Sequence, residues 1–148
     1  MQSKKSDYLK YWRTVRQYIK VKYEIGTMDL EMLLFLYTEP YFTKDKFDEF
    51  NQLLSWDKKR FERLREQGWI EGSKTFRVGR RTKYSLSYRA SRMIGEIYNV
   101  LDGQEIPITE GKNPMFKRNV RFTDKVYRNF IMKMRGASTK QQQHHAPE

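Results

Sequence analysis

The stretch from Ser55 to Ser87 constrains the fold of this chain more than any other. It begins with a basic segment whose apolar spacing predicts a helix over 56–67. Two runs with strand character follow at about 69–77 and 82–88, and Gly79 supplies the turn between them. A helix, a tight turn and a hairpin with a cationic tip are the order of a winged helix-turn-helix. We therefore predict a mainly α fold with a small β-hairpin wing (α+β).

Further helices are predicted on both sides of this stretch, because apolar side chains recur there at spacings of three and four residues. The predicted helices are 7–25, a segment between Thr27 and Pro40, 44–54, 89–101 and 123–135. The expected N-caps are hydroxyl residues, namely Thr27, Thr43, Ser55 and Thr123. Glycine and proline breakers make 103–122 irregular.

A chain of 148 residues is long enough for one core and short for two. We expect one domain over 1–135, with a winged-helix core at 27–103 and flanking helices at 7–25 and 123–135. Residues 136–148 lack apolar periodicity and predict a disordered tail.

The net charge of +12 is unevenly distributed. Residues 27–54 sum to −4, whereas residues 55–103, which contain the predicted helix and wing, sum to +6. Basic proteins bind nucleic acids, anionic membrane surfaces or acidic proteins, so charge alone leaves these partners open.

Several classes of chemistry lack the residues they need. The chain has no cysteine, and its histidines are His144 and His145, outside any predicted core, so no thiolate site or Ser-His-Asp set can form. The glycines stand too far apart for a phosphate-binding loop. The longest apolar run, Met32–Tyr37, is far shorter than the roughly 20 residues that cross a bilayer. We therefore expect a soluble, cytoplasmic protein that is not an enzyme and has no metal, no cofactor and no membrane partner.

The basic side chains of the predicted helix and wing suit DNA. Lys59 and Arg63 stand one helical turn apart, where they can reach guanine edges or phosphates. Wing arginines can enter a minor groove, whose negative potential attracts them. Two other interpretations stay open: a solvated helix face on which Arg63 pairs with Glu66, and a basic hairpin that serves solubility. The candidate DNA-contacting residues are Ser55, Trp56, Lys58, Lys59, Arg60, Arg63, Arg77, Arg80, Arg81 and Lys83.

Residues 27–103 resemble the MarR (multiple antibiotic resistance regulator) family of winged-helix proteins. The segment 63–70, RLREQGWI, is similar to the family's R-L-x-x-x-G-hydrophobic-hydrophobic end of the recognition helix. The segment 84–87, YSLS, followed by RAS at 89–91, is similar to the family's exit from the wing into the next helix. The resemblance implies a transcriptional regulator that binds double-stranded DNA as a homodimer, paired through its N- and C-terminal helices.

The first predicted helix supports such pairing, because it carries more aromatic and apolar side chains than one packing face needs. The predicted interface residues on the two terminal helices are Tyr8, Tyr11, Trp12, Val15, Tyr18, Ile19, Val126, Tyr127, Phe130 and Ile131.

A second function belongs to another class. The same fold can serve as a non-enzymatic structural or protein-interaction module, for example in a virus particle or a replication assembly. Trp56 stands where the MarR family usually carries a small hydroxyl or apolar residue, and a tryptophan there suits a protein partner as well as a DNA groove.

Overall fold

The computed structural model describes residues 8–78 and 81–144, with side chains for 8–72 and 81–136. The described residues form helices joined to one two-stranded antiparallel sheet, so the predicted mainly α fold with a β-hairpin is confirmed. The helices are α1 Tyr8–Tyr23, α2 Thr27–Leu36, α3 Lys44–Leu53, α4 Arg60–Glu66, α5 Tyr88–Leu101 and α6 Phe122–His144. The strands are β1 Ile70–Val78 and β2 Arg81–Leu86, and a short 3₁₀ helix covers Pro114–Phe116.

Within the predicted single domain, the chain divides into two compact units. The wing unit is Ile25–Glu96 and contains α2, α3, α4, the hairpin and the start of α5. The terminal unit combines the chain up to Glu24 with the chain from Ile97 onward, so that it contains α1, the end of α5 and α6.

Aromatic side chains join the helices of the wing unit to its hairpin. The ring of Phe61 on α4 meets Phe47 on α3 and Tyr84 on β2 edge to face, at centroid distances of 5.0 and 5.1 Å. Such pairs contribute about 0.5–1.5 kcal/mol each beyond the area they bury. Phe42 adds a backbone bridge to Tyr84, with N–O distances of 2.9 and 2.8 Å. The hairpin is therefore fixed to the helices by side chains and by backbone.

The helix α4 is shorter than predicted, seven residues instead of the segment 56–67. Its end follows the prediction: Gly68 takes φ +81°, and a Schellman cap forms from the amide of Trp69 to the carbonyl of Leu64 at 2.9 Å and from Gly68 to Arg65 at 3.0 Å. The start of α4 does not follow the prediction, because residues 55–57 are irregular and Ser55 is not the N-cap.

The other caps divide between correct and wrong predictions. Thr43 caps α3, accepting from the amide of Lys46. Thr27 is the first residue of α2, whose N-cap is Gly26 without a side-chain bond. Thr123 lies inside α6, which begins at Phe122. That helix continues to His144, so the backbone over 136–144 is helical where a disordered tail was predicted.

The hairpin pairs β1 with β2 from Ile70 opposite Leu86 to Val78 opposite Arg81, with an irregularity between Ser73 and Arg77. The predicted turn residue Gly79 and its neighbour Arg80 lie outside the described residues.

In the terminal unit, polar contacts fix α6 to α1 and to the segment before it. Gln17 on α1 donates to the carboxylate of Asp124 at 2.9 Å. Arg135 donates to the carbonyl oxygen of Ile106 at 2.8 and 3.2 Å. The buried Asn113 caps the 3₁₀ helix and donates to the carbonyl of Pro107 at 2.8 Å. Of the segment 103–122, which was predicted to be irregular, residues 103–121 are irregular apart from that single turn, and Phe122 begins α6.

Candidate nucleic-acid interface

The loop between α3 and α4 begins with an unusual backbone conformation. Ser55 has φ +61°, in the left-handed region that residues with a side chain seldom adopt. Two residues later, the carboxylate of Asp57 accepts the amide of Lys59 at 2.9 Å, which shapes the chain before α4. Lys59 is the N-cap of α4 by position and makes no side-chain cap.

Arg60, predicted to contact DNA, is buried instead, with 3% of its surface exposed. Its Nε donates to Asp29 at 3.1 Å, and its Nη1 donates to the side-chain oxygen of Asn51. Weaker bonds of 3.4 Å reach the carbonyl oxygens of Leu54 and Ser55. A buried arginine needs such partners, because an unpaired charge in the interior is very unfavourable. Arg60 therefore holds the loop to the unit and is not available at the surface.

Arg63, the other arginine predicted to read DNA, is bound by two carboxylates. It forms a bidentate pair with Asp29, with both distances 2.7 Å, and a further bond of 2.8 Å to Asp57. The hydrogen bonds to Asp29 and Asp57 raise the pKa of Arg63 above its ordinary value. Two hydrogen bonds hold the pKa of Asp57 below its usual range, and the one from the Arg63 side chain has a larger effect than the one from the backbone amide of Lys59. The alternative interpretation, in which Arg63 pairs with Glu66 along the helix, is wrong, because Arg63 pairs with Asp29, 34 residues away.

The sequence did not lead us to the residues that pair with Arg60 and Arg63. Asp29 and Asn51 are buried polar residues, and each binds Arg60. The available signal was the opposite net charge of 27–54 and 55–103, which is the pattern of two segments that pair with each other.

Other predicted residues remain at the surface of the loop. Trp56 is 56% exposed, and Lys58 and Lys59 are exposed as well. Within the described part of the chain, neither lysine side chain forms an ion pair with a carboxylate. This loop therefore presents one indole and two available positive charges.

On the wing, two of the four predicted cations can be described. Arg81 pairs with Asp45, and both side chains are largely exposed. Lys83 lies over the ring of Tyr41, with its Nζ 5.6 Å from the centroid. Arg80 and the side chain of Arg77 lie outside the described residues.

Two further arginines of the wing unit pack on aromatic rings. Arg65 lies over Phe61 and Tyr84, at 5.8 and 5.4 Å from their centroids. Arg89 lies 4.0 Å from the centroid of the buried Trp69 and donates to the carbonyl oxygen of Gln67 at 3.0 Å. Both arginines cover the junction of α4 with the hairpin, a role that their spacing in the sequence did not indicate.

The residues predicted for a dimer interface fall into two groups in the structure. Val15, Tyr18, Ile19 and Ile131 are buried within their own chain, so they do not offer a surface to a partner. Tyr11 is half-buried and donates its hydroxyl to the carbonyl of Val100; burial raises its pKa. Trp12 and Tyr127 are also half-buried, whereas Tyr8, Val126 and Phe130 are exposed.

Of the exposed group, Val126 and Phe130 line an apolar groove between α1 and α6. The groove has a volume of about 340 Å³. Phe122, which was not predicted, is 80% exposed beside it. The lining residues are Lys10, Arg13, Thr14, Phe122, Thr123, Val126, Tyr127 and Phe130.

Among the described residues, no cluster of histidine and carboxylate side chains has the arrangement of a metal site. None of the helices in that part of the chain is long and apolar enough to cross a membrane.

Comparison with known proteins adds little to this geometry. No family model and no curated protein matches the chain. A solved structure of a MarR mutant from E. coli in complex with operator DNA is similar, at 13% sequence identity over 90% of this chain and 90% of that chain, with a TM-score of 0.44.

Proposed function

We propose that this protein binds double-stranded DNA through its wing unit and acts in the cytoplasm as a homodimeric transcriptional regulator. The observation that carries the proposal is the pair Lys58 and Lys59, exposed at the start of α4 with no described carboxylate partner. Ammonium groups placed in this way neutralise phosphates, which supplies most of the affinity of a DNA-binding module.

The hairpin supports the same assignment. Among the described residues Arg81 is held by Asp45, and an exposed ion pair contributes only about 0–1 kcal/mol, so a phosphate can replace the carboxylate. Lys83 adds a second cation to β2. In this arrangement the loop and α4 face the major groove while the wing, residues 77–83, reaches the adjacent minor groove.

Homodimerisation is part of the proposal and is supported by the terminal unit. Phe122, Val126 and Phe130 leave apolar surface exposed on α6 beside the open groove, and Tyr8 is an exposed aromatic residue on α1. A second copy that covers this surface would remove it from water and place two wing units on one DNA.

The decisive experiment is selection of the purified protein against a random duplex library at physiological ionic strength, about 0.15 M. We expect enrichment of a two-fold symmetric motif whose half-sites lie about 10 base pairs apart, one helical turn. The variant Lys58→Glu with Lys59→Glu should lose the enrichment.

A matched control separates the site from the total charge. Lys112→Glu with Lys117→Glu changes the net charge equally, at exposed lysines of the terminal unit. This variant should still enrich the motif. Binding that is uniform across sequences, or lost equally in both variants, would contradict a sequence-reading role for the loop.

A protein-interaction module is the second candidate, favoured by one observation. Leu53 and Trp56 are both largely exposed and stand three residues apart, and apolar side chains of this kind are common at the centre of protein interfaces. Failure of the selection, with salt-sensitive binding to every duplex, would support this candidate.

A further inference from the structure

The loop that carries Trp56 is held more firmly than a surface loop requires. Ser55 keeps a left-handed backbone conformation, which is unfavourable for a residue with a side chain. Arg60 binds the carbonyl oxygens of Leu54 and Ser55, which lie before and after the Ser55 α-carbon, and Asn51 donates to the carbonyl of Asp57 at 2.9 Å. Backbone strain held by a buried network is concentrated at sites where function demands a fixed geometry.

The surface that this network presents is aromatic and cationic. The described structure gives no hydrogen bond, ion pair or ring contact to the side chains of Trp56, Lys58 and Lys59. The one carboxylate of the loop, Asp57, already accepts from Arg63 and from a backbone amide. An anionic, planar ligand is therefore the complement of this surface.

The arginines of α4 are not free to recognise the edges of base pairs. Arg60 is buried, Arg63 binds Asp29 and Asp57, and Arg65 lies over aromatic rings. An indole has one N–H donor and no acceptor, so it cannot make the bidentate contacts that distinguish base edges. What Trp56 offers to a base is the face of its ring.

We infer that the protein binds preferentially where DNA contains an unstacked base, with Trp56 stacked on that base and Lys58 and Lys59 on the neighbouring phosphates. This inference rests on the proposed DNA-binding function and names the form of DNA that the same site prefers. In an intact duplex the neighbouring pairs cover the face of each base. A bulge, a mismatch or a junction with single-stranded DNA exposes it.

The test compares two labelled duplexes of the same sequence, one intact and one with a single bulged nucleotide. Fluorescence anisotropy at about 0.15 M salt gives both dissociation constants. We expect the wild-type protein to bind the bulged duplex about tenfold more tightly, because only that duplex exposes the face of a base on which Trp56 can stack. The bulged duplex should also quench tryptophan fluorescence, and the Trp56→Phe variant should lose most of that quenching.

Three variants locate the effect. Trp56→Ala should bind both duplexes alike, whereas Trp56→Phe should keep part of the preference. Tyr88→Ala removes another exposed aromatic of the wing unit, 76% accessible, and should leave the preference unchanged. Since both side chains changed here, Trp56 and Tyr88, are at the surface, each of the three variants should keep the thermal midpoint of the wild type.

Each outcome decides the inference. Equal affinity of the wild type for both duplexes, at a normal salt dependence, overturns it and leaves the proposed binding of duplex DNA intact. Absence of salt-sensitive binding to either duplex overturns both proposals. A preference for the bulged duplex that survives Trp56→Ala overturns the role of this side chain. Equal affinity for both duplexes without any quenching of tryptophan fluorescence also overturns the inference, and favours a protein as the partner of Trp56.

Discussion

Replacement of Asp29 by alanine should destabilise the wing unit more than any single change to a surface charge. The carboxylate is 7% exposed and accepts from Arg60 Nε at 3.1 Å and from Arg63 Nε and Nη2, each at 2.7 Å. Alanine removes all three charge-assisted bonds and leaves the Arg60 guanidinium buried beside a cavity.

The magnitude follows from how each arginine is placed. Removing one partner of a buried pair costs about 3–5 kcal/mol, because the remaining charge is left without compensation. Arg63 adds little, about 0–1 kcal/mol, since its side chain is 36% exposed and it keeps Asp57. We therefore expect a loss of about 3–5 kcal/mol, a large part of the roughly 5–15 kcal/mol of a typical domain.

Urea denaturation followed by fluorescence measures this loss within the wing unit. Trp69 is buried there, and changing Trp12 and Trp56 to phenylalanine makes Trp69 the sole tryptophan reporter. Asp29→Asn should lose less stability than Asp29→Ala, because the amide oxygen still accepts a hydrogen bond. The control is Asp45→Ala, which breaks the exposed pair with Arg81 and should change the free energy of unfolding by less than about 1 kcal/mol.

A double-mutant cycle gives the sharpest refutation. Arg60→Met removes the buried charge, so the double variant with Asp29→Ala should be clearly more stable than the sum of the two single losses implies. Additive losses, or an Asp29→Ala loss no larger than that of Asp45→Ala, would show that the network does not hold the unit together in this way.

Two further predictions concern the cap of α4 and the dimer. Gly68→Ala should destabilise the protein by about 1–2 kcal/mol through the φ of +81° alone, because the added methyl group meets no atom. Gly95→Ala, at an equally open position inside α5, should stabilise the protein by about 0.5–1 kcal/mol in the same denaturation assay. A change of the same sign in both variants would refute the argument from backbone conformation. In sedimentation equilibrium at micromolar concentration the protein should have twice its chain mass of 18.1 kDa. Phe130→Glu should reduce the measured mass to that of one chain, whereas Leu53→Glu, in the wing unit, should not. A wild-type mass of one chain would exclude the proposed dimer.

Local patterns in the sequence were sufficient for the order of elements. Apolar spacing located the helices, and Gly68 and Thr43 marked an end and a start correctly, because each acts on its own backbone neighbourhood. The start of α4 was wrong by four residues for the opposite reason. The residues before Arg60 are compatible with a helix, and it is the distant Asp29 and Asn51 that fix the chain in another form.

The exposed faces were hard to assign for the same reason, because a local sequence pattern does not indicate which distant residues cover a side chain. Periodicity predicts that Val15 and Ile19 lie on an apolar stripe, but it does not tell whether their own chain or a second copy covers that stripe. Likewise, Arg60 and Arg63 carry the charge expected of DNA-reading residues, and no local feature reveals that internal carboxylates have already bound them.

The placement of Arg60 and Arg63 in the interior network has a consequence for how such a module can diversify. Substitutions in Asp29 or Arg60 endanger folding, whereas Trp56, Lys58 and Lys59 can change at the surface with little effect on it. Ligand preference is therefore open to mutational drift and to engineering in a three-residue window, while the scaffold that orients this window stays constant. A library randomised at these three positions should consist mostly of folded proteins.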